Sequence, residues 1–273
     1  MLYNEDCFDR LKQIPDNSID CIVTDPPYGI NYKDWDKFED FEEFLTNFLK
    51  ECYRVLKPNC HMWMFFGCTE YKKVFNAVDK AGFDNNLENW SIYARNKGRG
   101  SKYKFKSLRE DILHLSKGKY KKFNYVEYLR DVIAPFVKDG KPRGWFIDQT
   151  TGRPVRFTGV GNVLTFTPPT FNSKFEPQWH HAQKPVLLNV MLIMASTNKG
   201  DVVLDPFMGS GSCGIAANIS DRKYIGIEKD LDIFEKAEKW INNINISEKD
   251  NYIKRIRVND LSLYSSEEND ERK

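Results

Sequence analysis

The stretch Ile19-Asp20-Cys21-Ile22-Val23-Thr24 leads directly into Asp25-Pro26-Pro27-Tyr28. The first six residues are mostly apolar and β-branched, which is typical of a short strand buried in a parallel sheet. The two prolines fix φ and donate no backbone N–H, so the loop is expected to be stiff. Because open α/β sheets bind ligands at the carboxyl ends of their strands, this loop would present a carboxylate, a free carbonyl and a ring. We therefore predict a site for a planar substrate that carries an amino group.

A second, glycine-rich stretch lies far along the chain. Asp205-Pro206-Phe207-Met208-Gly209-Ser210-Gly211-Ser212 follows a predicted strand over 201–204 and opens a predicted helix over 214–219. Its glycines let the backbone approach a ligand closely, and the helix N-terminus offers donors to an anionic group. The next predicted strand ends at Glu228, and an acid at this place holds ribose hydroxyls in such folds. This pairing predicts a nucleoside-type cofactor, whereas the dinucleotide and triphosphate glycine patterns are absent.

The order of the predicted elements indicates an α/β fold, because short apolar runs alternate with segments of helical spacing. Helices are predicted over 41–56, 70–81, 185–196, 214–219 and 231–244. Strands are predicted over 19–24, 60–66, 88–95, 111–116, 201–204 and 223–227. Residues 30–40 are expected to form a mobile surface loop. Residues 118–178, rich in Gly, Thr, Pro and aromatic residues, are predicted to form an inserted module of small strands and turns.

The net charge of +2 hides a concentrated basic segment. From Arg95 to Lys122 there are 11 Lys or Arg and two acids, a charge of +9, so the rest of the chain carries −7. A lone charge run is usually a solvated loop, but this one is interleaved with aromatic residues such as Tyr103 and Phe105. Together with the two motifs it predicts a polyanion-binding segment.

The six cysteines form no Cys-x-x-Cys pair and have no matching histidine spacing, so no metal site is predicted. Reduced thiols favour a cytoplasmic protein. The sequence has no apolar run long enough to span a membrane and no N-terminal signal segment, so no membrane partner is expected.

The two motifs together resemble those of the amino-methylating DNA methyltransferases that depend on S-adenosylmethionine. The family signatures are Asp/Asn/Ser-Pro-Pro-aromatic and Phe-x-Gly-x-Gly, which read here Asp25-Pro26-Pro27-Tyr28 and Phe207-Met208-Gly209-Ser210-Gly211. The catalytic motif precedes the cofactor motif and the 118–178 module lies between them, an order that resembles the β group. His181-Ala182-Gln183-Lys184-Pro185 is similar to the His-x-x-Lys-Pro element of that group. The resemblance covers about residues 1–245 and is weakest in 118–178.

This resemblance implies a Rossmann-like methyltransferase fold with circularly permuted motifs. The expected core is a mostly parallel, seven-stranded sheet with helices on both faces. The implied divisions are a catalytic half (1–117), a target-recognition module (118–178), a cofactor-binding half (179–246) and a C-terminal extension (247–273) whose end is predicted to be disordered.

The resemblance also implies roles for individual residues. Catalysis is assigned to Asp25, Pro26, Pro27 and Tyr28. Cofactor binding is assigned to Asp205, Phe207, Gly209, Ser210, Gly211, Ser212, Glu228, His181, Lys184 and Pro185. The target-base pocket is assigned Asp6, with Asn259-Asp260 as the alternative, and Trp35, for which simple loop packing is an equal alternative. DNA phosphates are assigned Arg95, Lys97, Arg99, Lys102, Lys104, Lys106 and Arg109.

The predicted reaction is transfer of a methyl group to the N6 amine of adenine in double-stranded DNA, within a restriction-modification system. Asp25 and the Pro26 carbonyl would accept the two amine N–H groups, and Tyr28 would stack on a base flipped out of the duplex. Asp at position 25 favours adenine N6 over cytosine N4, which stays the alternative. A second alternative is a non-catalytic nucleic-acid-binding module. A homodimer and a cognate restriction endonuclease are partners that the sequence leaves open.

Overall fold

A computed structural model describes residues 1–83, 87–95, 103, 105–118, 123–149, 151–166, 169, 176, 178–244 and 252–259. Its helices are α1 (Cys7–Leu11), α2 (Phe41–Val55), α3 (Tyr71–Val78), α4 (Val186–Ser196), α5 (Ser212–Ile219) and α6 (Leu231–Asn242). Its first strands are β1 (Leu2–Asn4), β2 (Ile19–Thr24), β3 (Leu56–Phe66), β4 (Leu87–Ala94) and β5 (Arg109–Lys117). The remaining strands are β6 (Tyr125–Asp131), β7 (Val137–Lys138), β8 (Lys141–Pro142), β9 (Phe146–Ile147), β10 (Pro154–Gly159), β11 (Val163–Thr165), β12 (Val202–Asp205), β13 (Lys223–Glu228) and β14 (Ile256–Asn259).

The main sheet has the strand order β1-β13-β12-β2-β3-β5-β4-β11. The first five strands in this order, β1, β13, β12, β2 and β3, are all parallel. Strand β5 runs antiparallel to both of its neighbours, and β11 is parallel to β4. The predicted α/β fold with a mostly parallel sheet is therefore confirmed. The expected number of seven strands is wrong for the described residues, because Val163–Thr165 pairs with Ile92–Ala94 as an eighth strand.

Helices cover both faces of this sheet, as expected. Side chains alternate along a buried strand, so Cys21 and Val23 join one apolar cluster while Ile22 joins the other. The first cluster is completed by α4, α5 and α6, and the second by α1, α2 and α3. Both faces of β2 are thus buried, which explains its nearly continuous apolar sequence.

Several predicted element boundaries differ in the structure, among them the one between α2 and β3. The helix predicted over 41–56 ends at Val55, and β3 begins at Leu56 instead of residue 60. The ladder with β2 is irregular between the pairs Ile19–Leu56 and Cys21–His61. Pro58 lies in this irregular part, where a strand tolerates a residue that donates no hydrogen bond.

A second sheet holds the predicted module together and includes a strand from the C-terminal extension. Its order is β14-β6-β10-β9, with all pairs antiparallel. Ile256–Asn259 pairs with Tyr125–Tyr128, so these extension residues belong to the module's sheet. In the described part of the chain, no helix has the length and apolar character needed to cross a membrane.

Candidate active site

Both sequence motifs line one cavity of about 860 Å³ at the carboxyl edge of the main sheet. Asp25 follows β2, Asp205 ends β12 and Glu228 ends β13. Strands β2 and β12 are neighbours, with Val203 opposite Cys21, and this pairing brings the distant motifs together. The cavity therefore lies where ligands bind in open α/β sheets.

The Asp25 carboxylate has a protein donor on each of its oxygens. The Tyr28 hydroxyl donates to Oδ1 over 2.6 Å, and the Lys184 ammonium forms an ion pair with Oδ2. Burial raises the pKa of Asp25, Lys184 acts in the opposite direction, and the nearby charge of Glu110 raises it further. The ionisation of Asp25 therefore depends on its burial and on the charges of Lys184 and Glu110.

Tyr28 packs beside the end of β3. A Cβ atom at Gly67 would lie 3.0 Å from Tyr28 Cδ2, so a larger residue at that position would require the ring to shift slightly. Burial and the adjacent Asp25 raise the pKa of Tyr28 well above its usual value, so its hydroxyl stays a hydrogen-bond donor. Gly67 follows a strand with no recognisable motif, so no sequence pattern predicted its place beside Tyr28.

Asp36 organises the loop that contains the Asp25–Tyr28 motif. Its Oδ1 accepts the backbone N–H groups of Tyr28 (2.8 Å) and Gly29 (2.7 Å), and its Oδ2 accepts those of Ile30 and Tyr32 (both 3.0 Å). The residue is only 1% exposed. The loop of residues 30–40 was expected to be mobile at the surface, but one buried carboxylate holds its beginning through four backbone N–H groups.

Trp35 lies at the mouth of the cavity in an aromatic cluster. It is 51% exposed, and its ring centroid lies 6.3 Å from that of Tyr32 and 6.1 Å from that of His181. His181 also lies 5.6 Å from Tyr32, so this candidate cofactor residue belongs to the same cluster. The three rings, inclined to one another, form an aromatic rim at the mouth of the cavity.

The structure places Asp6 at the Glu228 end of the cavity. Its Oδ1 caps α1 by accepting the Phe8 N–H (3.0 Å), and its Oδ2 pairs with Lys229 at 3.1 Å. The alternative, Asn259, lies in β14 of the second sheet, and Asp260 lies outside the described residues.

The glycine turn adopts the conformation that its sequence suggests. Gly209 and Gly211 have φ of 50° and 82°, values that favour glycine. A Cβ atom at Gly211 would also lie 2.9 Å from Ile241 Cδ1, because α6 packs closely against this turn. The Glu228 carboxylate accepts the Gly209 N–H (3.0 Å) and the Asp230 N–H (2.9 Å), which fixes it beside the turn.

Asp205 is buried under the turn, and Phe207 packs behind it. Asp205 Oδ1 accepts the Phe207 N–H at 3.2 Å, and burial raises the Asp205 pKa to about 7. The Phe207 ring packs against Phe48, with a centroid distance of 5.0 Å. Phe207 therefore anchors the turn to the α2 side of the sheet.

The match to a known family covers most of this chain. Residues 19–239 match the N6/N4 methyltransferase family, which is described as DNA methylase. The chain belongs to this DNA methylase family. It is 30% identical over 240 residues to the type II methyltransferase M.HpaI of Haemophilus parainfluenzae, and the match covers 85% of this chain and 71% of that protein. It is also 30% identical over 264 residues to the type II methyltransferase M1.MboII of Moraxella bovis. That match covers 90% of this chain and 98% of M1.MboII.

Solved methyltransferase structures share the fold. The M1.HpyAVI–SAM complex is 22% identical with a TM-score of 0.60, and the match covers 89% of this chain and 99% of that one. The PvuII DNA methyltransferase, described as cytosine-N4-specific, is 18% identical with a TM-score of 0.65, covering 92% and 90%. These similarities support the architecture described above.

Three further residues at the site of this DNA methylase were not predicted from the sequence. Asn189 is 2% exposed and faces the cavity, and its Oδ1 accepts no hydrogen bond from the described residues. His180 packs on the glycine turn, since its Cε1 would lie 3.6 Å from a Cβ atom at Gly209. Glu110 lines the cavity beside Lys184. The sequence offered two signals. Asn189 is a lone asparagine in the apolar helix α4, and Glu110 is one of the two acids in the basic segment.

Four further residues that were assigned to the cofactor lie just before α4, in the glycine turn or at the start of α5. Pro185 immediately precedes α4, Ser210 is buried in the turn, and the Ser212 hydroxyl accepts a hydrogen bond from Asn189 Nδ2 at 3.2 Å. Lys184 contacts Asp25, so the structure brings this candidate cofactor residue to the catalytic motif.

The basic segment is only partly described. Arg95 pairs with Glu110 at 2.7 Å and Arg109 with Asp111 at 2.8 Å, while Lys106 is exposed. Four of the predicted phosphate ligands lie outside the described residues: Lys97, Arg99, Lys102 and Lys104. Among the described residues, no group of His, Cys, Asp or Glu could hold a metal ion.

Proposed function

We propose that this DNA methylase transfers the methyl group of S-adenosylmethionine to the N6 amine of adenine in double-stranded DNA, as the modification enzyme of a restriction-modification system. The observation that carries the proposal is the single cavity in which Asp25 and the Asp205–Ser212 turn meet. The names of the relatives, which are type II methyltransferases, support it. The M1.HpyAVI structure in complex with SAM supports the cofactor.

The residues at the turn fit this cofactor. The buried acceptor Asn189 Oδ1, which has no partner among the described residues, and the Asp205 carboxylate suit its ammonium group, since buried polar groups require partners. Glu228 accepts two backbone N–H groups, and a carboxylate has acceptor capacity left for the ribose hydroxyls. The glycines leave room for close backbone approach. When bound, the cofactor supplies a methyl group that its sulfonium already activates.

Asp25 and the Pro26 carbonyl would bind the target amine. The lone pair of an adenine amine is delocalised into the ring, so this nitrogen is a poor nucleophile. Hydrogen bonds from both N–H groups to these two acceptors would favour tetrahedral geometry. The carboxylate also stabilises the positive charge that develops on the nitrogen. The Tyr28 hydroxyl orients Asp25 through its 2.6 Å bond, in addition to the stacking role predicted for the ring.

The target base must leave the duplex to reach Asp25, which costs a few kcal/mol. We assign the rim of Trp35, Tyr32 and His181 to contacts with the flipped base or its neighbours. The basic segment would bind phosphates, and the second sheet with its loops would contact base edges.

The reaction and the base can be tested together. The protein is incubated with radiolabelled S-adenosylmethionine and unmethylated duplex DNA of high sequence complexity, and the DNA is then digested to nucleosides. We expect label in N6-methyladenine. Label in N4-methylcytosine would overturn the assignment of the base. Absence of label, together with equal cofactor and DNA binding by wild type and Asp25→Ala, would favour a non-catalytic binding module.

Cofactor affinity should increase as the pH rises towards 7. Burial raises the pKa of Asp205 to about 7, so this carboxyl is largely neutral at pH 6 and ionised at pH 8. A cationic ligand stabilises the ionised form, so binding below pH 7 must release a proton, and the dissociation constant should fall about tenfold between pH 6 and 8. Calorimetric titration at several pH values measures this change.

Asp205→Asn is the matching variant for this pH dependence. It keeps an oxygen that can accept the Phe207 N–H but cannot ionise, so we expect weaker binding that varies little from pH 6 to 8. A wild-type pH dependence in this variant would mean that another group is responsible.

Trp35→Ala tests the rim. We expect the KM for DNA to increase about tenfold, as when a stacking side chain is lost, while cofactor binding stays unchanged. The control is Tyr71→Ala, which removes a 44% exposed ring that does not line the cavity. Equal KM values for Trp35→Ala and wild type would instead indicate that Trp35 only packs within its loop.

A further inference from the structure

Lys184 is a buried cation that lies between two carboxylates. The residue is 7% exposed, and its ammonium group is paired with Asp25 Oδ2 and lies 3.1 Å from Glu110 Oε2. The Arg95 guanidinium pairs with the other Glu110 oxygen, Oε1, at 2.7 Å. Charges of alternating sign therefore run from the catalytic motif to the start of the basic segment, in the order Asp25, Lys184, Glu110 and Arg95.

The sheet topology explains how Glu110 reaches this place. Strand β5 runs antiparallel to β3, with Asp111 opposite Phe66, so the start of β5 lies at the edge where β3 ends. Strand β4 ends at the same edge, with Ala94 opposite Arg109. Glu110 therefore arrives beside the cavity from the antiparallel part of the sheet, which carries neither sequence motif.

Lys184 bridges the two carboxylates. Its ammonium group contacts both Asp25 Oδ2 and the buried Glu110 Oε2, and both contacts raise the pKa of Lys184. An ammonium group is a compact charge with three donors on a flexible stem. A small movement of Lys184 towards Glu110 would therefore weaken its contact with Asp25 without leaving the ammonium group unpaired.

This arrangement matters for the reaction because each Asp25 oxygen already has a donor before any substrate binds, and one of these donors is a cation. Tyr28 donates to one of its oxygens and Lys184 to the other. An Asp25 carboxylate neutralised by a tight lysine contact would be a weaker acceptor for an amine and would stabilise less positive charge on it.

We propose that Glu110 is a positioning residue that draws Lys184 away from Asp25, so that Asp25 can accept the target amine. The proposal rests on the proposed function and adds to it a residue that neither motif contains. In this arrangement, Lys184 moves towards Glu110 when the amine binds, and Arg95 keeps Glu110 in place.

The surrounding charges agree with this role. Burial raises the pKa of Asp25, Lys184 lowers it and Glu110 raises it, so loss of the Glu110 charge should lower the pKa of Asp25. The pKa of Lys184 is raised because both carboxylates outweigh its burial. The titratable and charged groups that face Asp25 are Tyr28, Glu110, His181, Lys184 and Asp205, with Arg95 behind Glu110.

Glu110→Gln removes the charge and keeps the size of the side chain. We expect kcat for methyl transfer to fall about tenfold, as when one charge at a reacting group is lost, with the KM for S-adenosylmethionine within about twofold of wild type. The acid limb of the kcat–pH profile should move to lower pH, because Asp25 ionises more easily. Glu110→Asp, which keeps the charge, should restore the wild-type acid limb.

The matched control is Glu42→Gln, which breaks an ion pair with Lys80 outside the cavity and should leave kcat and its pH profile unchanged. Thermal melting and S-adenosylhomocysteine binding establish that each variant is folded.

A Glu110→Gln protein with the wild-type kcat and acid limb would overturn the proposal. A lower kcat in Glu110→Gln would also overturn it if the acid limb were unchanged and Glu110→Asp lost as much kcat. That pattern would indicate a structural role for Glu110. A wild-type protein that transfers no methyl group would overturn the proposed function as well.

Discussion

Asp25→Asn should reduce methyl transfer by about 100- to 1000-fold, the usual effect of removing a preorganised polar group from a reacting centre. The asparagine oxygen can still accept the Tyr28 hydroxyl, but the side chain has no negative charge to stabilise the developing cation. It also leaves Lys184 with Glu110 as its remaining carboxylate in the described site. Single-turnover transfer of labelled methyl groups to DNA measures the chemical step.

Cofactor binding separates this effect from a general disturbance of the site. S-adenosylmethionine should bind Asp25→Asn with nearly wild-type affinity, because the glycine turn and Glu228, which are assigned to the cofactor, lie at the ends of other strands. The control is Asp9→Asn, an exposed carboxylate on α1 that does not line the cavity. Transfer by Asp25→Asn within a few fold of wild type would show that Asp25 is not the acceptor of the amine.

Asp36→Ala should have the second largest effect, although Asp36 is not assigned any contact with a substrate. The substitution leaves four backbone N–H groups without their acceptor. We expect a decrease in the free energy of unfolding of about 1–3 kcal/mol, because partly buried donors lose their acceptor while water can reach those of the half-exposed Ile30 and Tyr32. Transfer should fall by about 100-fold, because misplacement of a catalytic group by about an ångström has effects of this size. Chemical denaturation and the transfer assay measure the two losses.

Asp34→Ala is the matched control, two residues away on the same short turn. The Asp34 side chain is 98% exposed and pairs with Lys37, and exposed pairs of this kind contribute about 0–1 kcal/mol. It should therefore behave like wild type. If Asp36→Ala and Asp34→Ala were equally active, the loop would not depend on its buried carboxylate.

The sequence predicted those parts of the fold that local patterns determine. The apolar run before Asp25 and the helical spacing over 41–56 correspond to β2 and to α2, because burial of one or both faces imposes its own residue pattern. Strands β11 and β14 were not predicted as partners of their sheets. Their pairing depends on contacts with residues distant in sequence, and short strands of three and four residues carry little pattern of their own.

The candidate site was predicted as a set of residues but not as a set of contacts. The motifs indicated which side chains would line the cavity, because strand ends and glycine turns are visible in the sequence. The partner of Lys184 could not be predicted, since it depends on how the loop before α4 passes the start of β5. The role of Asp36 was equally hidden, because a side chain that accepts several backbone N–H groups is recognised only once the loop conformation is known.

The pairing of β14 with β6 has a practical consequence for testing the proposed role of residues 118–178 by exchanging them between such enzymes. A graft confined to residues 118–178 would transplant β6, β9 and β10 but leave their neighbouring strand Ile256–Asn259 behind in the host protein. The transplanted edge of β6 would then meet a foreign strand or none. A transferable cassette must therefore be discontinuous and include the segment around 252–259 together with the internal module.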